Sequence, residues 1–225
     1  MLLHDDDLID DDFIDVCMKA AEYNTDIGLI RTGTRVIDSA GNTRSEAPNM
    51  VSGGSIEDFI FAWFSGKTPL YLCSSLFNTQ RLKEIGGFKS KTNLYQDVVA
   101  EVRLAAKYGR IDISDVKAGF RRHADNMGSS SKMRDWCEDS LYLLDIMCNL
   151  APKNRSLIKD KGMLYFCKRN YDRVFRSIPF PKRLPAYLVV YKKFNYYYSP
   201  VNYVCARDIN RLKRFIKRKL NHVSP

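Results

Sequence analysis

Apolar and polar positions follow two rhythms along this chain, and the mixture changes near residue 131. Phe13, Val16, Cys17 and Ala20 recur at helical spacing and predict a helix over 11–24. IGLIRTGTRVI (27–37) is β-branched and alternating, which predicts a strand, and SAGN (39–42) is turn chemistry. Residues 43–54 read as an irregular loop. Ser55 with Asp58 three residues later marks the start of a helix over 56–65. PLYLCSSLF (69–77) reads as a buried strand, and a short helix over 79–85 ends on Gly86 and Gly87. Over 95–109, Tyr95, Val98, Val99, Val102, Ala105 and Ala106 share one face. Asn93 is the expected cap there, and Gln96 stands where a capping box closes. A strand follows over 111–122. The next helix, 131–150, turns Trp136, Leu143, Leu144, Met147 and Leu150 inward. From 153 onward the pattern is helical, broken by Pro179, Pro181, Pro185 and Pro200. Strands and helices intermixed up to 131, then helices alone, predict an α/β domain with a mixed sheet over 1–131. A helical region over 132–225 is expected to follow it.

Charge sharpens that division. The 225 residues carry a net charge of +10, yet residues 151–225 hold 19 of the 36 Lys+Arg and only 3 of the 26 Asp+Glu. An acidic body with a basic tail points to a site in the first part and an anionic surface for the second. In RDINRLKRFIKRKL (207–220), Ile209, Leu212, Phe215, Ile216 and Leu220 fall on one helical face. Such a helix suits an anionic membrane surface. Nucleic acid is the rival partner, disfavoured by the acidic start and by the absence of a nucleic-acid motif. The plainer alternative is a helical subdomain with a solvated basic face. No apolar run approaches the ~20 residues of a membrane span. The start has no basic leader, and none of the six cysteines forms a CxxC pair. The expected setting is therefore the reducing cytoplasm, with the protein peripheral at the inner face of the membrane.

Three segments carry candidate chemistry. The chain opens MLLHDDDLIDDDF, with Asp5, Asp6 and Asp7 directly after an apolar stub. Ligands of open α/β sheets bind at the carboxyl ends of strands, and clustered carboxylates there suit Mg2+ or Mn2+. A solvated helix start is the alternative, and it is the reading adopted for Asp10, Asp11 and Asp12. Asp97 lies in the first turn of the 95–109 helix, opposite the apolar stripe, where a carboxylate either serves the helix dipole or acts as a general base. FRRHADNMGSS places Arg121, Arg122 and His123 at a strand end, where they meet phosphate or metal, or form a plain basic patch.

Taken in order, these segments resemble the C-terminal part of a GT-A-fold glycosyltransferase of the large inverting family two. LHDDDLIDDDF resembles the DxD segment of that family. IGGF (85–88) followed by Asp97 resembles its GGF…ED pattern, and RRHADN resembles its R-x-H…N segment. The chain departs from the pattern at His4 and Gln96, which stand where acids are most common. The resemblance covers roughly residues 1–131 and implies an incomplete GT-A-like half-domain whose nucleotide-binding half is missing. It implies a nucleotide-sugar donor and a surface polysaccharide, glycan or lipid-linked acceptor. Asp6, His4 and His123 would hold the cation, Asp5, Asp7 and Arg122 would serve the donor diphosphate, and Asp97 would be the catalytic base. Trp63, Tyr71, Ser74 and Tyr95 are placed on the acceptor side. This chain alone is expected to be inactive. The alternative is an inert remnant that acts at most as a membrane- or partner-binding module.

Overall fold

The alternating stretch at 29–37 forms the central strand because neighbours cover both of its edges and both of its faces. In the computed structural model, which describes residues 3–122 and 132–221, it is β2 (Leu29–Ile37), buried along nearly its whole length. On one side it pairs in parallel with β5 (Arg110–Arg121), from Leu29 opposite Arg110 to Ile37 opposite Arg121. On the other side two strands share it, both antiparallel: β4 (Ser75–Phe77) at Leu29–Arg31 and β3 (Thr43–Ala47) at Thr34–Ile37. The two-residue β1 (Leu8–Ile9) adds to the far edge of β5 at Ala118 and Gly119. The sheet is thus mixed, as the intermixed pattern predicts. β2 and β5 are parallel because α2 (Ile56–Phe64) and α4 (Gln96–Tyr108) cross over between them.

Several elements follow local signals. Ser55 and Asp58 form a reciprocal capping box at the start of α2. Asn78 caps α3 (Thr79–Glu84), and Gly86 and Gly87 both take positive φ after it. α1 is shorter than the pattern predicts, Phe13–Ala20, with Phe13 and Cys17 buried against the sheet. Two expectations are corrected. The stretch 69–77 is not one strand: Leu72–Ser74 coil into a 3-10 turn and only Ser75–Phe77 pair. The loop expected at 43–54 contains β3, an exposed polar edge strand whose residues carry no apolar alternation. Gly33 belongs to the same join, since a Cβ there would stand 2.9 Å from Pro48 Cα.

Helices α5 (Met133–Leu150), α6 (Arg155–Ser177), α7 (Arg183–Lys193) and α8 (Pro200–Asn221) follow; α8 side chains at 210, 212 and 214–221 lie outside the description. One continuous core joins these helices to the sheet domain, running from Leu29, Phe59 and Trp63 through Val99 and Leu143 to Phe166 and Tyr203. Gly162 of α6 allows the closest of these contacts, because a Cβ there would lie 2.3 Å from a Leu144 methyl. A second, smaller cluster packs α1 under the sheet through Phe13, Cys17, Ile30 and Ala118.

The central strand also buries a charge. Arg31 is fully enclosed, with Nε 3.5 Å from Glu101 of α4 and Nη1 3.8 Å from Asp112 of β5. Nη1 also donates to the Thr68 hydroxyl at 3.1 Å, Nη2 donates to the Pro69 carbonyl, and the guanidinium lies 5.0 Å from the Phe59 ring centroid. Buried arginine is rare unless paired, and here it ties β2, α4 and β5 together.

Candidate active site

The β1–β5 edge and the start of α4 bring the sequence-picked acids toward one region. At the end of β5 the Arg121 amide donates to Asp7 Oδ1 at 2.9 Å, and Arg121 Nε donates to the Asp6 carbonyl at 2.7 Å. These two bonds pin the aspartate turn to the strand end. His4, Asp6 and Asp7 each offer a ligand atom within 4.8 Å of the others. Asp7 is buried, Asp6 half-buried and His4 exposed, so the group opens to solvent on one side. Burial raises the Asp7 carboxyl above its ordinary value, and Asp6 adds to the rise, while the Arg121 amide and His4 oppose it. A divalent cation would relieve that raised carboxyl. The donor set of one imidazole and two carboxylates suits Mn2+ better than Mg2+, whose sites are built from oxygen. Ligands at the ~2.0–2.1 Å of such ions stand about 3–4 Å apart around an octahedron, so the trio needs only a small closure.

Asp5, read from the sequence as a donor-side residue, is exposed and outside this trio; Asp7 joins it instead. His123 lies outside the described residues. Arg122 is exposed and keeps its amide bonded to the Ile37 carbonyl at 2.9 Å.

Asp97 faces a cleft of about 570 Å³ between the sheet end, α4 and α6. Burial pushes its carboxyl above the ordinary range, against the Val98 amide, His4 and Arg169, which all favour the charged form. The end of β5 links the aspartate turn to the cleft: Phe120 and Arg122 line the cleft, and Arg121 between them bonds to Asp6 and Asp7. A raised carboxyl at a helix start holds a proton more readily than a free one, which is the property a general base needs.

The expected cap of α4 is corrected. Neither Asn93 nor a capping box closes this helix; Asn93 takes a left-handed φ of 60° and Tyr95 begins the helix without a side-chain cap. The polar work is done from α5. Asp139, fully buried, accepts from the amides of Thr92, Leu94 and Tyr95 at 3.0, 2.8 and 2.7 Å and from Ser90 Oγ at 2.7 Å. The carboxylate of a later helix thus sets where α4 begins, and hence where Asp97 points.

Trp63, Tyr71 and Tyr95, expected on the acceptor side, all line the cleft. Tyr71 stacks on Phe120 with ring centroids 4.4 Å apart. Ser74 does not join them: it is buried, and its hydroxyl donates to the Tyr71 carbonyl at 2.9 Å. Sequence reading missed Arg169, Arg173 and Arg176 of α6, which complete the wall. The signal available for them was their i, i+4, i+7 spacing, which places three cations on one helix face. A hollow of similar size beside α1 and β4 holds no comparable chemistry, since its Arg81 is already paired with Asp26 and Glu84. A scan against protein-family models and a search of curated proteins each returned no match, so the chemistry of this site is read from its own residues.

Proposed function

We propose that this chain carries the metal and acceptor side of an inverting glycosyltransferase site of the GT-A type. The observation that carries the reading is that Asp97, the residue picked as base from the GGF…ED resemblance, lies at an open cleft that shares the end of β5 with the His4–Asp6–Asp7 group: Phe120 and Arg122 line the cleft, and Arg121 between them bonds to Asp6 and Asp7. In this reading Asp97 accepts the proton of the acceptor hydroxyl as that oxygen attacks the anomeric carbon of the sugar. Trp63, Tyr71 and Tyr95 flank the acceptor. His4, Asp6 and Asp7 would hold Mn2+ or Mg2+, and the charge that grows on the departing diphosphate is what a cation there offsets.

The test is metal binding followed by nucleotide binding. Mn2+ titrated into the full chain and followed by electron paramagnetic resonance is expected to fill one site. Asp6→Ala is expected to weaken that site at least tenfold, in line with the effect of losing a ligand-shell group. Asp97→Asn is expected to leave it intact. Nucleoside diphosphates should then bind only with Mn2+ present. Equal Mn2+ affinity in wild type and Asp6→Ala would overturn the reading. Transfer assays with a panel of nucleotide sugars on the same samples separate an active enzyme from an inert binding module built on the same site.

We place the protein at an anionic membrane surface. No described helix is long and apolar enough to cross a membrane. Around α7, however, Phe180 is 83% exposed and Leu184 64% exposed, with Leu188 exposed one turn on. Beside them a groove of about 770 Å³ has Ile178 and Val189 on its floor and Arg134, Lys182, Lys192 and Lys193 around it. Apolar side chains ringed by cations match the boundary of an anionic bilayer. Of the sequence-read amphipathic face of α8, Ile209 is exposed; the side chains of Leu212, Phe215, Ile216 and Leu220 lie outside the description. Vesicles containing anionic lipid are expected to sediment the protein and release it in high salt. Phe180→Asp combined with Leu184→Glu should weaken this severalfold without altering the thermal midpoint. Equal sedimentation by neutral and anionic vesicles would refute the placement.

A further inference from the structure

The arginines of α6 have no use in the chemistry assigned above. Arg169, Arg173 and Arg176 stand at i, i+4 and i+7 on the face of α6 that lines the cleft, and Arg122 approaches from the end of β5. Like charges at this spacing on a helix repel one another. Such a row is normally offset by carboxylates, yet among the described residues no carboxylate lies within ion-pair distance of any of the four. Arg31, Arg35, Arg81, Arg110 and Arg155, by contrast, each have an acidic partner. Two aspartates do face the cleft, but neither forms an ion pair with the row. Asp172 accepts the Tyr203 hydroxyl at 2.6 Å, and Asp97 is itself raised by burial.

Of the four, Arg173 is half-buried and held in place, while Arg122, Arg169 and Arg176 are exposed. Arg173 stacks on Trp136, its guanidinium carbon 3.2 Å from the ring centroid, and its Nη1 is a buried atom without a hydrogen-bond partner. The buried Tyr95 hydroxyl stands beside it, in hydrogen-bonding reach of Arg169 and Arg173. Burial alone would raise the Tyr95 phenol, but the charges of Arg169 and Arg173 outweigh it and hold the phenol below its ordinary value. Arg169 donates to the Tyr165 hydroxyl at 3.3 Å and lies 5.9 Å from the Trp63 ring centroid. Tyr95 is thus held by the two arginines, and a buried guanidinium nitrogen of Arg173 on the wall of an open cleft is left with a donor to spare for an acceptor in the cleft. Guanidinium forks are shaped for tetrahedral or planar oxyanions, and their charge-assisted bonds are the strong ones. The aromatic rings alongside supply flat faces for the sugar or hydrocarbon that carries the anion.

We propose that Arg169, Arg173 and Arg176, with Tyr95 and Arg122, form a phosphate-recognition wall opposite Asp97, so that the acceptor taken by this cleft is a glycan bearing a phosphate or phosphodiester group. The proposal rests on the reading of Asp97 as the acceptor-side base. It adds the chemical class of that acceptor and makes the three α6 arginines determinants of its choice. The anion has two sources, a soluble sugar phosphate or a lipid-borne phosphate. The layout brings the second within reach, because Arg176 and Ser177 line the cleft and the next residue, Ile178, lines the cationic groove beside α7.

The two tryptophans of the chain, Trp63 and Trp136, both line this cleft, so tryptophan emission excited past the tyrosine band reports on it. The full chain is titrated in EDTA, which removes any contribution of divalent cations at His4, Asp6 and Asp7. The probes are glucose 1-phosphate, free glucose, inorganic phosphate and neutral vesicles with or without phosphatidic acid. Glucose 1-phosphate is expected to change the emission where glucose at equal concentration does not, and inorganic phosphate is expected to reverse the change by competition. Arg173→Gln should weaken binding about tenfold or more, as expected for loss of a charge-assisted bond. Because Arg173 packs on Trp136, Arg176→Gln serves as the second variant; its side chain is exposed, so the fold is kept, and severalfold weakening is expected. Because EDTA strips the cation site, this result stands apart from the metal test. A response to phosphatidic acid vesicles alone assigns the wall to a lipid-borne phosphate, and a response to glucose 1-phosphate assigns it to a soluble or glycan-borne one. No response to either, equal responses to glucose and glucose 1-phosphate, or wild-type affinity in both arginine variants would overturn the proposal.

Discussion

Asp139→Ala is expected to cost about 3–5 kcal/mol of folding stability, since a buried donor left unpaired costs ~1–3 kcal/mol and a buried charged partner more. Three backbone amides, those of Thr92, Leu94 and Tyr95, lose their acceptor at once, and the Ser90 hydroxyl loses its own. Water entering the vacated space recovers part of this, which keeps the figure below the sum of the separate penalties. Oδ2 takes three of the four bonds, so Asp139→Asn can keep those three with its one oxygen. It then sets an NH2 group against the Thr92 amide, and an intermediate loss of about 1–2 kcal/mol follows. Urea denaturation of the three proteins measures the series. The same variants should change the response of the cleft tryptophans to glucose 1-phosphate, because Asp139 fixes the segment carrying Tyr95 and Asp97. An Asp139→Ala protein within 1 kcal/mol of wild type would show that the segment is held by something else.

That network also shows where the sequence runs out as a guide. The central strand, the capping box of α2, the glycine stop of α3 and the stripes of α4 and α5 are legible because each is written within one or two turns of chain. The start of α4 is not, because its acceptor comes from Asp139, 44 residues beyond Tyr95. Local rules pick Asn93, a good cap by type, and find instead a residue tolerated in the left-handed turn. β3 is invisible for another reason. TRSEA pairs only through its backbone at an exposed edge, so no side-chain period records it. Over 69–77 the apolar run reads equally well as strand or as turn, and the 3-10 coil is set by contacts with the sheet. The acids of the candidate site were visible as residues but not as a trio: which of Asp5 and Asp7 joins Asp6 depends on the Arg121 amide, 114 residues beyond Asp7 in the chain. The α6 arginines failed in a different way. In a tail rich in Lys and Arg, three cleft-facing cations look like any solvated row until the aromatic wall opposite them is known.

Raising the pH from about 4.5 to about 7 is expected to lower the stability of this protein through Glu101, by up to about 3 kcal/mol. Glu101 is fully buried in α4 and pushed up to about 7, chiefly by burial; Arg31 and the Ser75 hydroxyl pull the other way and do not cancel it. The geometry explains the balance. Ser75 Oγ donates to Glu101 Oε1 at 2.7 Å, but Arg31 Nε stands 3.5 Å from Oε2, and neither of those two atoms makes a hydrogen bond. The attraction is therefore loosely made while the desolvation is complete. In the unfolded chain the same carboxyl titrates near its ordinary 4.5. Between the two values the folded state binds more protons than the unfolded state, so each step up in pH favours unfolding. Asp7 and Asp97, also raised by burial, act with the same sign. Asp38 and Asp58, held low by hydrogen bonds, act with the opposite sign and at lower pH. The difference between wild type and Glu101→Gln isolates the one group. Glutamine keeps an acceptor for Ser75 and cannot ionise, so the urea midpoint of the variant should lose this part of the decline between pH 4.5 and 7. Arg31→Met, which strands Glu101 without its cation, is expected to cost about 3–5 kcal/mol near neutral pH and less in acid, where Glu101 is already protonated. Parallel pH profiles for wild type and Glu101→Gln would mean that the pair ionises as a tight couple. The Arg31 guanidinium would then be neutralising the buried carboxylate more completely than a 3.5 Å approach without a hydrogen bond allows.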